Sequence, residues 1–145
     1  MLPEILKPVA VLIAWSLVML IWMAAVRLPA MKRAGINLAT MRGGKPGGLD
    51  GVLADKIQWP AHNYIHLMEQ PTIFYAVALL LAICGAGSGV NATIAWVYVG
   101  LRIVHSVIQA TVNIVRFRFA VFALSSVALL ILSVHALILV FDLKH

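Results

Sequence analysis

Long apolar runs separated by short polar stretches set the pattern of this chain. Four of them, at about residues 5–26, 62–84, 92–113 and 119–141, each hold about 20 residues. At that length a helix crosses a hydrocarbon layer of about 30 Å, and a helix satisfies its own backbone hydrogen bonds there. The pattern therefore predicts an all-α fold, an integral membrane up-down four-helix bundle, as a single domain over residues 1–145. Gly85, Gly87, Ser88 and Gly89 make a short second connection and 113–118 a still shorter third one, which forces neighbouring helices to run antiparallel. The first connection, about 27–60, contains RGGKPGGLDG, a breaker cluster without the spacing of a phosphate-binding loop. It is expected to be a mobile loop over the mouth of the bundle or, equally, a plain flexible linker. The first run lacks a strongly basic leader and exceeds the apolar stretch of a signal peptide, so it is expected to be a retained helix.

Polar positions inside the runs carry the candidate chemistry. Tyr98, Arg102, His105, Gln109 and Asn113 recur at helical spacing and share one face of the third run. An arginine at the centre of such a helix costs about 2.5–3.5 kcal/mol to insert, so it is expected to face protein or water. In the second run, AHNYIHLMEQP places His62, His66 and Glu69 within about 60° of one another. Glu69 is the expected ion-pair partner of Arg102, either in a site or as a device that fixes helix register. Two chemistries compete for these residues. His62, His66 and Glu69, with His105, have the types and spacing of a zinc or iron set, but a guanidinium beside the ligands argues against a metal. Alternatively Arg102, Arg116, Arg118, His66, His105 and Gln109 form a cationic cleft for a small anion bearing carboxylates, to which arginine presents a planar bidentate fork. Arg116 and Arg118 read equally well as the snorkelling pair of a helix end.

Composition agrees with the membrane reading: 145 residues, 63% hydrophobic, 11% charged, and a mean hydropathy of +1.00. The net charge of +6 is unevenly placed. Arg27, Lys32, Arg33, Arg42, Lys45 and Lys56 fall in the first connection and Arg116 and Arg118 in the third, against Lys7 and Lys144 on the other side. The positive-inside rule then places the first loop in the cytoplasm and both termini outside. Attraction of anionic lipid or ligand follows second, and nothing in the chain resembles a nucleic-acid module. The single cysteine, Cys84, excludes an intrachain disulfide and is expected to be buried or lipid-facing. Trp15, Trp22, Trp59 and Trp96 are expected at interfaces or in packing, and Met19, Met23 and Met68 as apolar filling.

Over nearly its whole length the chain resembles the MAPEG proteins, membrane-associated proteins in eicosanoid and glutathione metabolism. The residues that carry this are the basic exit VRLPAMKRAG from the first run, Glu69 in the second, and Arg102, His105 and Ser106 in an R-x-x-H-S run in the third. The resemblance implies a homotrimer with sites between subunits, glutathione as cosubstrate, and a lipophilic small molecule as second substrate, in a bacterial inner membrane or a comparable cytoplasm-facing one. It leaves a hetero-oligomeric partner open. It further implies that Glu69, Arg102 and His105, with His66 and Gln109, hold the thiol ligand, and that Arg116 or Arg118 stabilises the thiolate. Three positions depart from the family's usual residues: Gln109 stands for Tyr, His66 for Asn and Ile65 for Arg. The resemblance implies a glutathione-dependent transferase or peroxidase that conjugates or reduces a lipophilic electrophile; the family also includes a non-catalytic lipid-binding member, so an inactive scaffold is the competing expectation.

Overall fold

Among the described residues five helices make four membrane-length spans: α1 (Leu6–Arg33), α2 (Asp55–Leu67), α3 (Gln70–Ile83), α4 (Val90–Thr111) and α5 (Val115–Val140), with α2 and α3 sharing the second span. They are seen in a computed structural model that describes residues 2–45 and 47–141. Lys144, counted above in the charge asymmetry, lies outside the described residues. The protein is an all-helical integral membrane protein, as the apolar pattern predicts.

The first connection is shorter than expected, 34–54, because both flanking helices continue into polar sequence. α1 continues past Val26 into Lys32 and Arg33, cations that suit the negative end of a helix. α2 starts at Asp55, an acid that suits the positive end. Between them Leu49 and Leu53 bury against Ala30 and Met31 in a small core of their own. Asp50 is held by Gln58 Nε2 at 3.2 Å and His62 Nε2 at 3.0 Å. The connection is thus pinned to the ends of α1 and α2.

The second span breaks at Met68 and Glu69, where Glu69 leaves helical geometry with φ −90° and ψ −99°. Pro71 causes it: the ring has no N–H for the Leu67 carbonyl and would clash with it in a continuous helix. Thr72 Oγ closes the new turn on the Glu69 carbonyl at 2.7 Å. The third connection turns on Asn113, whose φ of 51° is left-handed, a conformation asparagine tolerates better than most residues. Asn113 therefore ends the α4 stripe rather than extending it, a correction to the sequence reading.

At the opposite end of the bundle, Ile5 N donates to the Gly87 carbonyl at 2.8 Å, tying the chain start to the α3–α4 turn. A Cβ on Gly87 would lie 2.7 Å from Pro3 Cβ, so glycine is what permits the crossing. Leu12, Met19, Phe74, Leu81, Tyr98, Val99 and Leu132 fill the core. Ile21, Ile83, Phe119 and Leu130 point outward, as they do where a helix faces lipid or another subunit.

Candidate functional site

The polar face of α4 turns inward, with Tyr98, Arg102, His105, Ser106 and Gln109 all buried. Each finds partners on a neighbouring helix or on its own. Tyr98 Oη donates to Gln70 Oε1 at 3.4 Å, and Gln70 Nε2 donates to Ser126 Oγ at 2.8 Å, linking α4, α3 and α5. Ser106 Oγ lies 3.0 Å from Asn63 Nδ2 and 3.1 Å from Asn63 Oδ1, joining α4 to α2. Gln109 Oε1 accepts from His105 Nε2 at 3.2 Å, one turn away on the same helix.

Arg102 does not pair with Glu69. Its Nη2 donates instead to the backbone carbonyl of His66 at 3.1 Å. The break supplies the reason: it leaves carbonyls at the end of α2 without helical partners, and a cation there meets the negative end of the helix. The same break carries Glu69 to an exposed position, where its Oε2 sits 2.7 Å from His66 Nδ1. The metal set is dispersed as well. His62 is engaged with Asp50 and His66 with Glu69, and among the described residues no three His, Cys, Asp or Glu converge on a point.

A cavity of ≈ 180 Å³ opens where the end of α2 meets α4 and the first turns of α5. His66, His105, Val115, Arg118, Phe119 and Phe122 line it. The two imidazoles stand 4.9 Å apart by ring centroid, and the His66 ring stacks on Phe122 at 5.5 Å. The Arg102 guanidinium lies behind, 5.8 Å from the centre of the Phe122 ring. Arg118 Nη1 donates to Asn113 Oδ1 at 2.5 Å, which holds the guanidinium against the cavity. Arg116, two residues earlier, is exposed and packs over the Phe117 ring at 5.3 Å.

Several nitrogens around this cavity are buried without a partner among the described residues: Nε and Nη1 of Arg102, Nδ1 of His105 and Nε of Arg118. Buried polar atoms left unpaired are costly, so the arginine donors and the His105 Nδ1 lone pair, gathered beside one cavity, mark a locus built for something further. A larger groove of ≈ 580 Å³ lies between α1 and the first connection, lined by Arg27, Lys45 and Met31 among others. None of the candidate residues line it, and no described residue of 34–54 lines the smaller cavity, so the connection does not cover it.

Of the expected residues, the structure brings His66, His105 and Arg118 to one cavity with Arg102 immediately behind. Gln109 supports His105, Glu69 supports His66, and Arg116 faces away. Sequence reasoning missed Asn63, Phe122 and Asn113 in these roles. Asn63 had a signal, since an amide inside a membrane span needs a partner; Phe122 had none, because an aromatic in an apolar run looks the same whether it meets lipid or a ligand. No curated protein and no solved structure matches the chain. A family model described as the MAPEG family matches residues 5–138. With nearly its whole length matched, and four apolar spans around a buried Arg102–His105–Ser106 face, this chain belongs to the MAPEG family.

Proposed function

We propose that the protein is a membrane-embedded, glutathione-dependent transferase for lipophilic electrophiles. The observation that carries this reading is the set of buried, unpartnered nitrogens on Arg102, His105 and Arg118 around one cavity. A tripeptide thiol supplies carboxylates as acceptors for the two arginines and amide N–H groups as donors for His105 Nδ1. In this reading Arg118 stabilises the thiolate, while Arg102, His105 and Gln109, with His66 and Glu69, position the peptide. Arg118 is preferred over Arg116 because only Arg118 lines the cavity. Phe119 and Phe122 give the electrophile an apolar wall.

One chain is too small for the task. A cavity of ≈ 180 Å³ falls below the range of about 300–1,000 Å³ usual for ligand pockets. Glu69, an acid in mid-span, is left 61% exposed, which membrane proteins avoid unless protein or water covers it. Both facts support a neighbouring subunit that completes the site, and family membership supports a homotrimer. The basic residues at the end of α1, in the 34–54 connection and at the start of α2 (Arg27, Lys32, Arg33, Arg42, Lys45, Lys56), with Arg116 and Arg118 at the start of α5, support a cytoplasmic mouth, with the opposite ends of the bundle outside.

A second reading is supported by the internal hydrogen bonds. Arg102 caps α2, and Asn63–Ser106 and Gln70–Ser126 tie helices together, so the same face also suits a non-catalytic subunit that the polar residues hold in register. Purification in mild detergent, followed by mass measurement, glutathione binding and conjugation of an aromatic electrophile, separates the two. The transferase reading expects a trimer that binds and conjugates. A clean monomer that retains full binding overturns the shared site, and an assembled trimer without any binding leaves the scaffold.

A further inference from the structure

His66 is held on three sides. Its Nδ1 is 2.7 Å from Glu69 Oε2, its ring stacks on Phe122, and its carbonyl accepts from Arg102 Nη2. With Nδ1–H donated to the carboxylate, the network assigns the Nδ1–H tautomer, which leaves the free lone pair on Nε2. Nε2 makes no hydrogen bond among the described residues, and His66 lines the same cavity as Arg118. A carboxylate behind an imidazole both fixes its orientation and stabilises the imidazolium that forms when it takes a proton.

Thiolate formation needs a proton acceptor, and Arg118 is not one, since a guanidinium only donates. The groups facing His66 are Glu69 from the helix break, Arg102 and His105 from α4, and Arg118 from α5. Among them Glu69 is the one anion, and it engages Nδ1, leaving Nε2 without a partner among the described residues. His105 has no carboxylate partner; its Nε2 is engaged with Gln109.

We infer that His66 is the general base that takes the thiol proton, and that Glu69 is the positioning residue that orients it. The inference rests on the thiol-transferase reading above. The S–H bond breaks, its electron pair stays on sulfur beside Arg118, and the proton moves to His66 Nε2. Sulfur then bonds the electrophilic carbon of an activated alkene. The displaced π pair arrives at the neighbouring carbon, which takes the proton back from His66 and restores the neutral imidazole.

Proton counting tests this directly in the assembled, detergent-purified protein. Glutathione is added in a weakly buffered solution while thiolate is followed by its ultraviolet absorbance and released protons by an indicator dye. The wild type should form thiolate with no proton reaching the medium, whereas His66→Gln should release about one proton per thiolate formed. Glu69→Gln, which preserves side-chain volume, should also release protons and lower the conjugation plateau about 10-fold or more. It carries the test if His66→Gln fails to assemble. Stoichiometric proton release by the wild type overturns the role of His66 while leaving the transferase intact. Absence of glutathione binding by the assembled wild type overturns the transferase reading and this inference with it.

Discussion

Asn63 and Ser106 are both buried, and their side chains hydrogen-bond each other across the α2–α4 contact. Truncating one leaves the other unpaired in an apolar setting, so the two should be coupled. Interhelical hydrogen bonds of this kind in membranes average about 0.6 kcal/mol and reach about 1.7 kcal/mol. Asn63→Ala, Ser106→Ala and the double variant, compared by unfolding in mixed micelles, should show a coupling of that order; strictly additive losses would mean that the pair contributes nothing. At this scale the sequence spoke clearly about which residues are polar and buried, because helical spacing places Arg102, His105 and Gln109 on one face. It did not say whom they meet. Glu69 was the natural partner for Arg102 by charge, yet the arginine bonds a backbone carbonyl that has lost its i+4 helical partner, and carbonyls do not announce themselves in a sequence.

The element that decides the site is the interruption between α2 and α3. Pro71 forces it, the His66 carbonyl is exposed by it, and Glu69 swings from the helix surface to the His66 ring. Pro71→Ala removes both the clash and the missing donor, letting the second span run closer to a continuous helix. Thermal stability should then hold or rise, while conjugation falls because His66 and Glu69 lose their placement. A variant with wild-type conjugation and a lower melting temperature would mean that the break serves packing alone. The proline stood in plain view at the sequence level, in MEQPT, but a proline inside a membrane span either kinks or breaks it, and the apolar pattern continues unchanged on both sides. The ends of α1 and α2 were misjudged for a related reason. Hydropathy reports the width of the apolar layer, whereas helices continue beyond it wherever charged residues suit their dipoles.

At the scale of the whole molecule, the four spans and their alternating direction followed from run length and short turns, because the bilayer admits few alternatives. Orientation is open to a simple check that uses a native residue. Cys84 is exposed at the end of α3, beside the turn to which Ile5 is bonded. If the basic connection is cytoplasmic, Cys84 should react with a membrane-impermeant thiol reagent in intact cells. Gly44→Cys in a Cys84→Ala background should react only after permeabilisation; position 44 has open space around it and tolerates the change. The reverse pattern would place the cavity mouth on the outer side.

The central claim is that a thiol ionises against Arg118 inside this bundle, and the most direct measurement is the ultraviolet absorbance of bound glutathione as a function of pH. A free thiol ionises near pH 8.5, and a guanidinium in a partly desolvated cavity favours the anion. Thiolate should therefore appear on the wild-type protein well below that pH. Arg118→Met should abolish the shift, while Arg116→Met, whose parent residue packs outside on Phe117, should keep it. Bound glutathione that ionises no earlier than the free thiol, or a shift that survives Arg118→Met, would contradict the account.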